Sequence, residues 1–270
     1  GAVLSFLGLK PEKFYHVSRQ EDQLRYVTAR GWEDLSRLLQ SCEELGLPVG
    51  EELVREFLNL EETARDFTAY YLLYRKYGQD YGVPGLLAGT ASKEEWNARV
   101  ALARQGDFTE RFTLVNQVLE ALRHTARAYG AADRLAQALH QSLTAFINGK
   151  EPLEDFTQGR RKTLETKRQF KLAGTGELNL EGKVLKQLEA WCQAAAQNRL
   201  REKIDQDAFV KEAFAKSLSQ RQEQIFAMGR GLENAIGFLT DCFGDGQELT
   251  LLLTQITHSP EIMDYITLLG

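Results

Sequence analysis

Along most of this chain apolar residues return every three or four positions, a spacing that lines one face of a helix and cannot supply the two-residue alternation of a sheet. After Trp32 the stripe is Leu35, Leu38, Leu39, Cys42 and Leu45, while Glu33, Asp34, Arg37, Gln40 and Glu43 take the other face. Thr28 can cap the start of this helix by accepting an orphan N–H, and Gly46 with Pro48 ends it. Only Phe14–Ser18 and Leu24–Thr28, around a charged turn, carry β-forming residues in the pattern of a short hairpin. The expected fold class is therefore all-α: a small helical domain over residues 1–85, with one short β-hairpin, followed by a helical-bundle extension over 86–270.

Gly78, Gly82, Pro84, Gly85 and Gly89 mark residues 78–91 as the candidate boundary between the two parts, after helices expected over Glu51–Leu58 and Glu61–Tyr77. Beyond it, Ser92 with Glu95 and Asp107 with Glu110 have reciprocal capping spacing and announce new helices. The stripe Phe108, Phe112, Val115, Leu119, Leu122, Ala126 and the stripe Leu135, Leu139, Leu143, Phe146 lie either side of Gly130, which predicts a helical hairpin there. Val184, Leu188, Trp191, Cys192 and Ala195 mark a further helix. The longest is expected from about Asp207 to Leu239, before Gly244-Asp245-Gly246 and two short helices.

Composition excludes several classes. No apolar run approaches the roughly 20 residues that span a bilayer, and no basic leader with a small-residue cleavage site is present, so a cytoplasmic protein without membrane contact is expected. Cys42, Cys192 and Cys242 are odd in number and set in helical patterns, as buried free thiols would be. A net charge of −5 opposes general nucleic-acid binding, which needs a concentrated positive surface. Arg160, Arg161, Lys162, Lys167, Arg168 and Lys171 do crowd one stretch after a loop-like Gly149–Gly159. A solvated linker or helix face, or docking to an acidic partner or a neighbouring subunit, accounts for it; RNA or DNA binding is a minor option, since Phe170 is the one aromatic residue there that could stack on a base.

Chemical motifs are sparse. No Gly-x-x-x-x-Gly-Lys-Ser/Thr phosphate loop occurs; Gly174–Lys183 has the wrong spacing and is read as a turn into the next helix. His16, His124, His140 and His258 lack the arrangement of a zinc helix, with His124 and His140 expected on different helices. Asp241–Glu248 lacks the ligand alternation of a calcium loop. Neither a catalytic residue nor a metal site is expected. The tyrosines at 70, 71, 74, 77 and 81 are read as core.

One residue stands apart. Arg30 falls in the first turn of the Thr28 helix, where N–H groups and the helix dipole favour an anion and a guanidinium adds a fork suited to phosphate; taken alone, the residue reads equally as a solvated arginine or as the partner of a nearby carboxylate. The run Tyr26-Val27-Thr28-Ala29-Arg30-Gly31-Trp32-Glu33-Asp34-Leu35-Ser36, with Ala64-Arg65-Asp66-Phe67 and Tyr70–Tyr77 downstream, resembles the lid region of MoxR-like AAA+ ATPases. In that family a Thr-Pro-Arg-X-Trp type run opens a lid helix whose arginine, sensor 2, reaches the terminal phosphates. The matching residue is Arg30; Ala29 stands where proline is frequent, and Gly31 is expected to loosen the first turn.

The resemblance implies an ATPase core upstream of Gly1, and the opening at Gly1 without a methionine, mid-pattern at Val3, Leu4, Phe6 and Leu7, is read the same way. It implies ATP and magnesium in the parent protein, none in this stretch alone, a hexameric ring, and a von Willebrand factor A-type partner. The competing expectation is a stand-alone helical adaptor with no nucleotide role.

Overall fold

A computed structural model describes residues 1–20 and 23–269. Among the described residues it contains twelve α-helices and one antiparallel hairpin. The chain divides into two compact units, residues 1–123 with 230–259, and residues 124–229 with 260–270. Both 41-residue helices, α7 (Phe108–Asn148) and α10 (Lys203–Phe243), contribute to each unit.

In the first unit, α1 (Ala2–Leu9) leads through a 3-10 turn, Pro11–Lys13, into β1 (His16–Gln20) and β2 (Gln23–Val27). His16 pairs with Val27 and Val17 with Tyr26, as the expected hairpin requires. Glu21 and Asp22 of its turn lie outside the described residues. Then come α2 (Ala29–Leu45), α3 (Glu51–Arg55), α4 (Glu61–Tyr81), α5 (Val83–Ala88) and α6 (Lys93–Gln105). α3 is shorter than its sequence pattern, and α4 continues four residues past Tyr77 to close on Gly82 in the left-handed conformation (φ 51°).

The core of this unit is aromatic. Phe6, Trp32 and Phe67 pack ring against ring at centroid distances of 5.2–5.7 Å, with Tyr70 and Tyr71 on the next turn of α4. The buried Tyr70 hydroxyl is shared with Ser5 Oγ at 2.6 Å and Thr113 Oγ1 at 3.3 Å, which satisfies a polar group that would otherwise be costly to bury. Tyr71 donates to Glu43. Tyr70, Tyr71 and Tyr81 are thus buried packing residues, as their spacing indicates, while Tyr74 and Tyr77 are half-buried. Both capping boxes also form: Ser92 with Glu95, and Asp107 with Glu110, each exchange two hydrogen bonds.

The second unit departs from expectation at Gly130. α7 runs through it without a break, so the two apolar stripes belong to one helix and no hairpin forms there. A glycine inside a helix costs about 1 kcal/mol relative to alanine, a penalty that 40 other residues outweigh unless a turn motif follows it. His124 and His140 consequently share α7. The expected loop over 149–159 is short as well, because α8 (Leu153–Gln169) already starts at Leu153 and takes in Gly159. α9 (Thr175–Gln197) absorbs most of the Gly174–Lys183 segment, α10 follows, and α11 (Gln247–Thr257) and α12 (Pro260–Leu269) complete the chain. Leu139, Leu143, Phe146, Leu153, Phe156, Val184, Leu188, Trp191, Ala195 and Val210 make the second core. On α10, Val210, Met228, Ala235, Phe238 and Leu239 are buried, while Ile236 is exposed.

Candidate functional site

The first turn of α2 is built by one local device and two contacts from elsewhere in the unit. Thr28, in extended conformation, accepts the Gly31 N–H at 3.2 Å, while its carbonyl accepts the Trp32 N–H at 3.1 Å. Trp32 is 2% exposed, and its indole N–H is shared between the carbonyls of Lys13 and Phe14, tying the helix to the segment before β1. Gly31 sits against the Phe57 carbonyl so closely that a Cβ there would lie 2.5 Å from the oxygen. The expectation that Gly31 loosens the turn is corrected: glycine is there because a backbone from the α3–α4 connection occupies the space of a side chain.

Arg30 is the second helical residue, one position before that glycine, and points away from the core with 71% of its side chain exposed. Its Nε donates to Asp34 at 2.8 Å, and Nη1 is 4.0 Å from Glu33. Arg37 pairs with the same two carboxylates. The result is a solvent-facing network of two cations and two anions along one side of α2. Exposed pairs of this kind contribute only about 0–1 kcal/mol each, so the guanidinium can exchange its carboxylate for a stronger anion at little cost. Arg30–Asp34 and Glu33–Arg37 are legible as four-residue spacings; the Phe57 carbonyl is not, because it arrives from 26 positions away in sequence.

Below the same helix, Asp66 on α4 accepts from Lys10 at 2.8 Å with Lys13 at 3.6 Å, and Lys13 also holds Glu62 at 2.7 Å. The Lys10 hydrogen bond keeps the Asp66 carboxyl below its usual range, and Glu62 raises the Lys13 ammonium.

The basic stretch is a solvated helix face, as one of its readings had it: Arg160, Arg161, Lys162 and Arg168 lie exposed on α8, although three of the cations are engaged by neighbouring helices. Arg161 holds Glu189 at 2.6 Å, Lys167 spans Glu177 and Glu181, and Arg160 donates to Ser142 at 2.9 Å. These cations hold α8 against α9 and α7 inside the second unit. Arg168 and Lys171 form no ion pair among the described residues.

Other candidates carry no assembled chemistry. A groove of about 390 Å³ in the second unit is lined by His140, Phe214 and Leu218, with Asp133 and Arg221 bound to each other at 2.6 Å. Burial pushes the Cys242 thiol up to about 12, which opposes thiolate chemistry, and all three cysteines are free. Among the described residues no three histidine, cysteine or carboxylate side chains gather as metal ligands, and no helix is long and apolar enough to cross a membrane. No known protein family, curated protein or solved structure matches the chain.

Proposed function

We propose that this chain is the lid and C-terminal helical region of a MoxR-like AAA+ ATPase, with Arg30 as its sensor 2 residue. The observation that carries the reading is the build of the α2 start: a capped, glycine-locked first turn that fixes the backbone of Arg30 while leaving its guanidinium in solvent on weak partners. A residue that must find a γ-phosphate needs both properties. Rigid placement removes the ordering cost of the contact, and exposure leaves the fork free to make charge-assisted hydrogen bonds to phosphate oxygens.

In this reading the parent supplies the phosphate loop, ATP and magnesium. Arg30 trades Asp34 for the terminal phosphate when triphosphate is present and returns to it after hydrolysis. The helix carrying Arg30 is tied through Trp32 to the residues before β1 and through Phe67 to α4, so a shift of the α2 start moves the first unit's aromatic core with it. The extension would pass that movement to a partner, for which the resemblance suggests a von Willebrand factor A-type protein within a hexameric assembly.

The test is ATP turnover by the full-length product of the gene encoding this chain, compared with Arg30→Ala and, as a control, Arg37→Ala. Loss of charge-assisted contacts to the γ-phosphate predicts a fall of about tenfold or more for Arg30→Ala, against less than about twofold for Arg37→Ala. Equal turnover in wild type and Arg30→Ala, or a gene product without a phosphate-binding core, overturns the reading in favour of a helical adaptor.

A further inference from the structure

Three helices end in the same two-bond motif with a leucine at its closing position. Leu47 N–H bonds to the Cys42 carbonyl after α2, Leu172 N–H to Lys167 after α8, and Leu200 N–H to Ala195 after α9, with Gly46, Lys171 and Arg199 left-handed in turn. That leucine ordinarily folds back onto its helix. Leu200 does, against the second core. Leu47 and Leu172 do not: they are 50% and 67% exposed.

Each exposed leucine has a large apolar companion and, beside it, charges of one sign that form no ion pair among the described residues, although Glu177 and Glu181 on Lys167 also flank the α8 end. At the end of α2 stand Leu45, 71% exposed, with Glu43 and Glu44. At the end of α8 stand Phe170, 62% exposed, with the unpaired Arg168 and Lys171. The α8 tip is held open on a lysine in a left-handed conformation that costs a non-glycine residue about 1 kcal/mol. Two apolar tips of opposite charge on one chain are self-complementary between copies. We infer that the acidic α2 tip of one copy receives the basic α8 tip of another, a head-to-tail contact between two copies of this chain. With so few side chains at each tip the contact is weak, concentration-dependent and salt-sensitive.

This inference does not depend on Arg30. It is tested by sedimentation velocity on the 270-residue chain up to about 100 µM at low salt, the range in which weak contacts populate. Wild type should associate with rising concentration and dissociate in high salt. Arg168→Glu and Glu44→Lys should each weaken association about fivefold, and Leu172→Ser should do so without a charge change. An equimolar mixture of the two charge variants should recover it, since each then offers the other an opposite tip; recovery also shows that both variants are folded. A wild type that stays monomeric throughout, or a mixture no more associated than its components, overturns the inference.

Discussion

Helices α2 and α8 are both 17 residues long and both carry arginines, yet they use them in opposite ways. α2 has a side-chain cap at its start, a glycine at its end and its arginines on the outer face, bonded only to carboxylates of the same helix. α8 has no side-chain cap, ends on a strained lysine, and spends Arg160, Arg161 and Lys167 on its neighbours. A run of positive charge is therefore a poor guide to a binding surface when the adjacent helix carries glutamates at matching heights. Arg30, on a capped turn, is bonded only to exposed carboxylates of its own helix, pairs that contribute little to the fold.

Substitutions can break this contrast. The largest expected effect is at Trp32, whose removal as Trp32→Ala empties the aromatic core and orphans two carbonyl contacts. Chemical denaturation should show a loss of about 3–5 kcal/mol in the first unit. Gly31→Ala should destabilise by about 1–3 kcal/mol despite the better helix propensity of alanine, since the new methyl meets the Phe57 carbonyl. A neutral or positive change in melting temperature would show that the turn is not locked. Thr28→Ala, which removes the cap, should cost about 1 kcal/mol, read as a lowered denaturant midpoint.

On the α8 side the sign reverses. Lys171→Gly should stabilise by about 0.5–1 kcal/mol, because glycine enters the left-handed region without penalty. The smallest effect is electrostatic. A carboxyl held below its usual range, as Asp66 is by Lys10, contributes stability above its unfolded value near 3.8 and loses it as pH falls through the lower folded value. Denaturation midpoints of wild type and Asp66→Asn should therefore differ by about 0.5 kcal/mol or less at neutral pH and converge in acid.

Much of the first unit was legible in sequence because its signals are local. The Thr28 cap, the Gly46 stop and the two capping boxes each depend on residues within five positions, and all formed. Leu45 kept the period of its stripe but stands in solvent, since the helix ends before anything covers it. The misreadings were of another kind. Gly130 looks like a break, but a glycine ends a helix only with a closing motif behind it, and Arg134 lies against it one turn later instead. The basic stretch is solvated as read, but its partners Glu177, Glu181 and Glu189 were not legible, because they are assigned to it only by tertiary packing. At the candidate site, position and exposure of Arg30 were readable, whereas the reason for Gly31 lay in a backbone 26 residues away.

The central claim is that Arg30 reads the terminal phosphate, and nucleotide affinity addresses it most directly. In the full-length gene product, Arg30→Ala should weaken binding of a non-hydrolysable ATP analogue by about tenfold or more while leaving ADP affinity within about twofold. Equal losses for the two nucleotides, or no loss for either, would contradict the account.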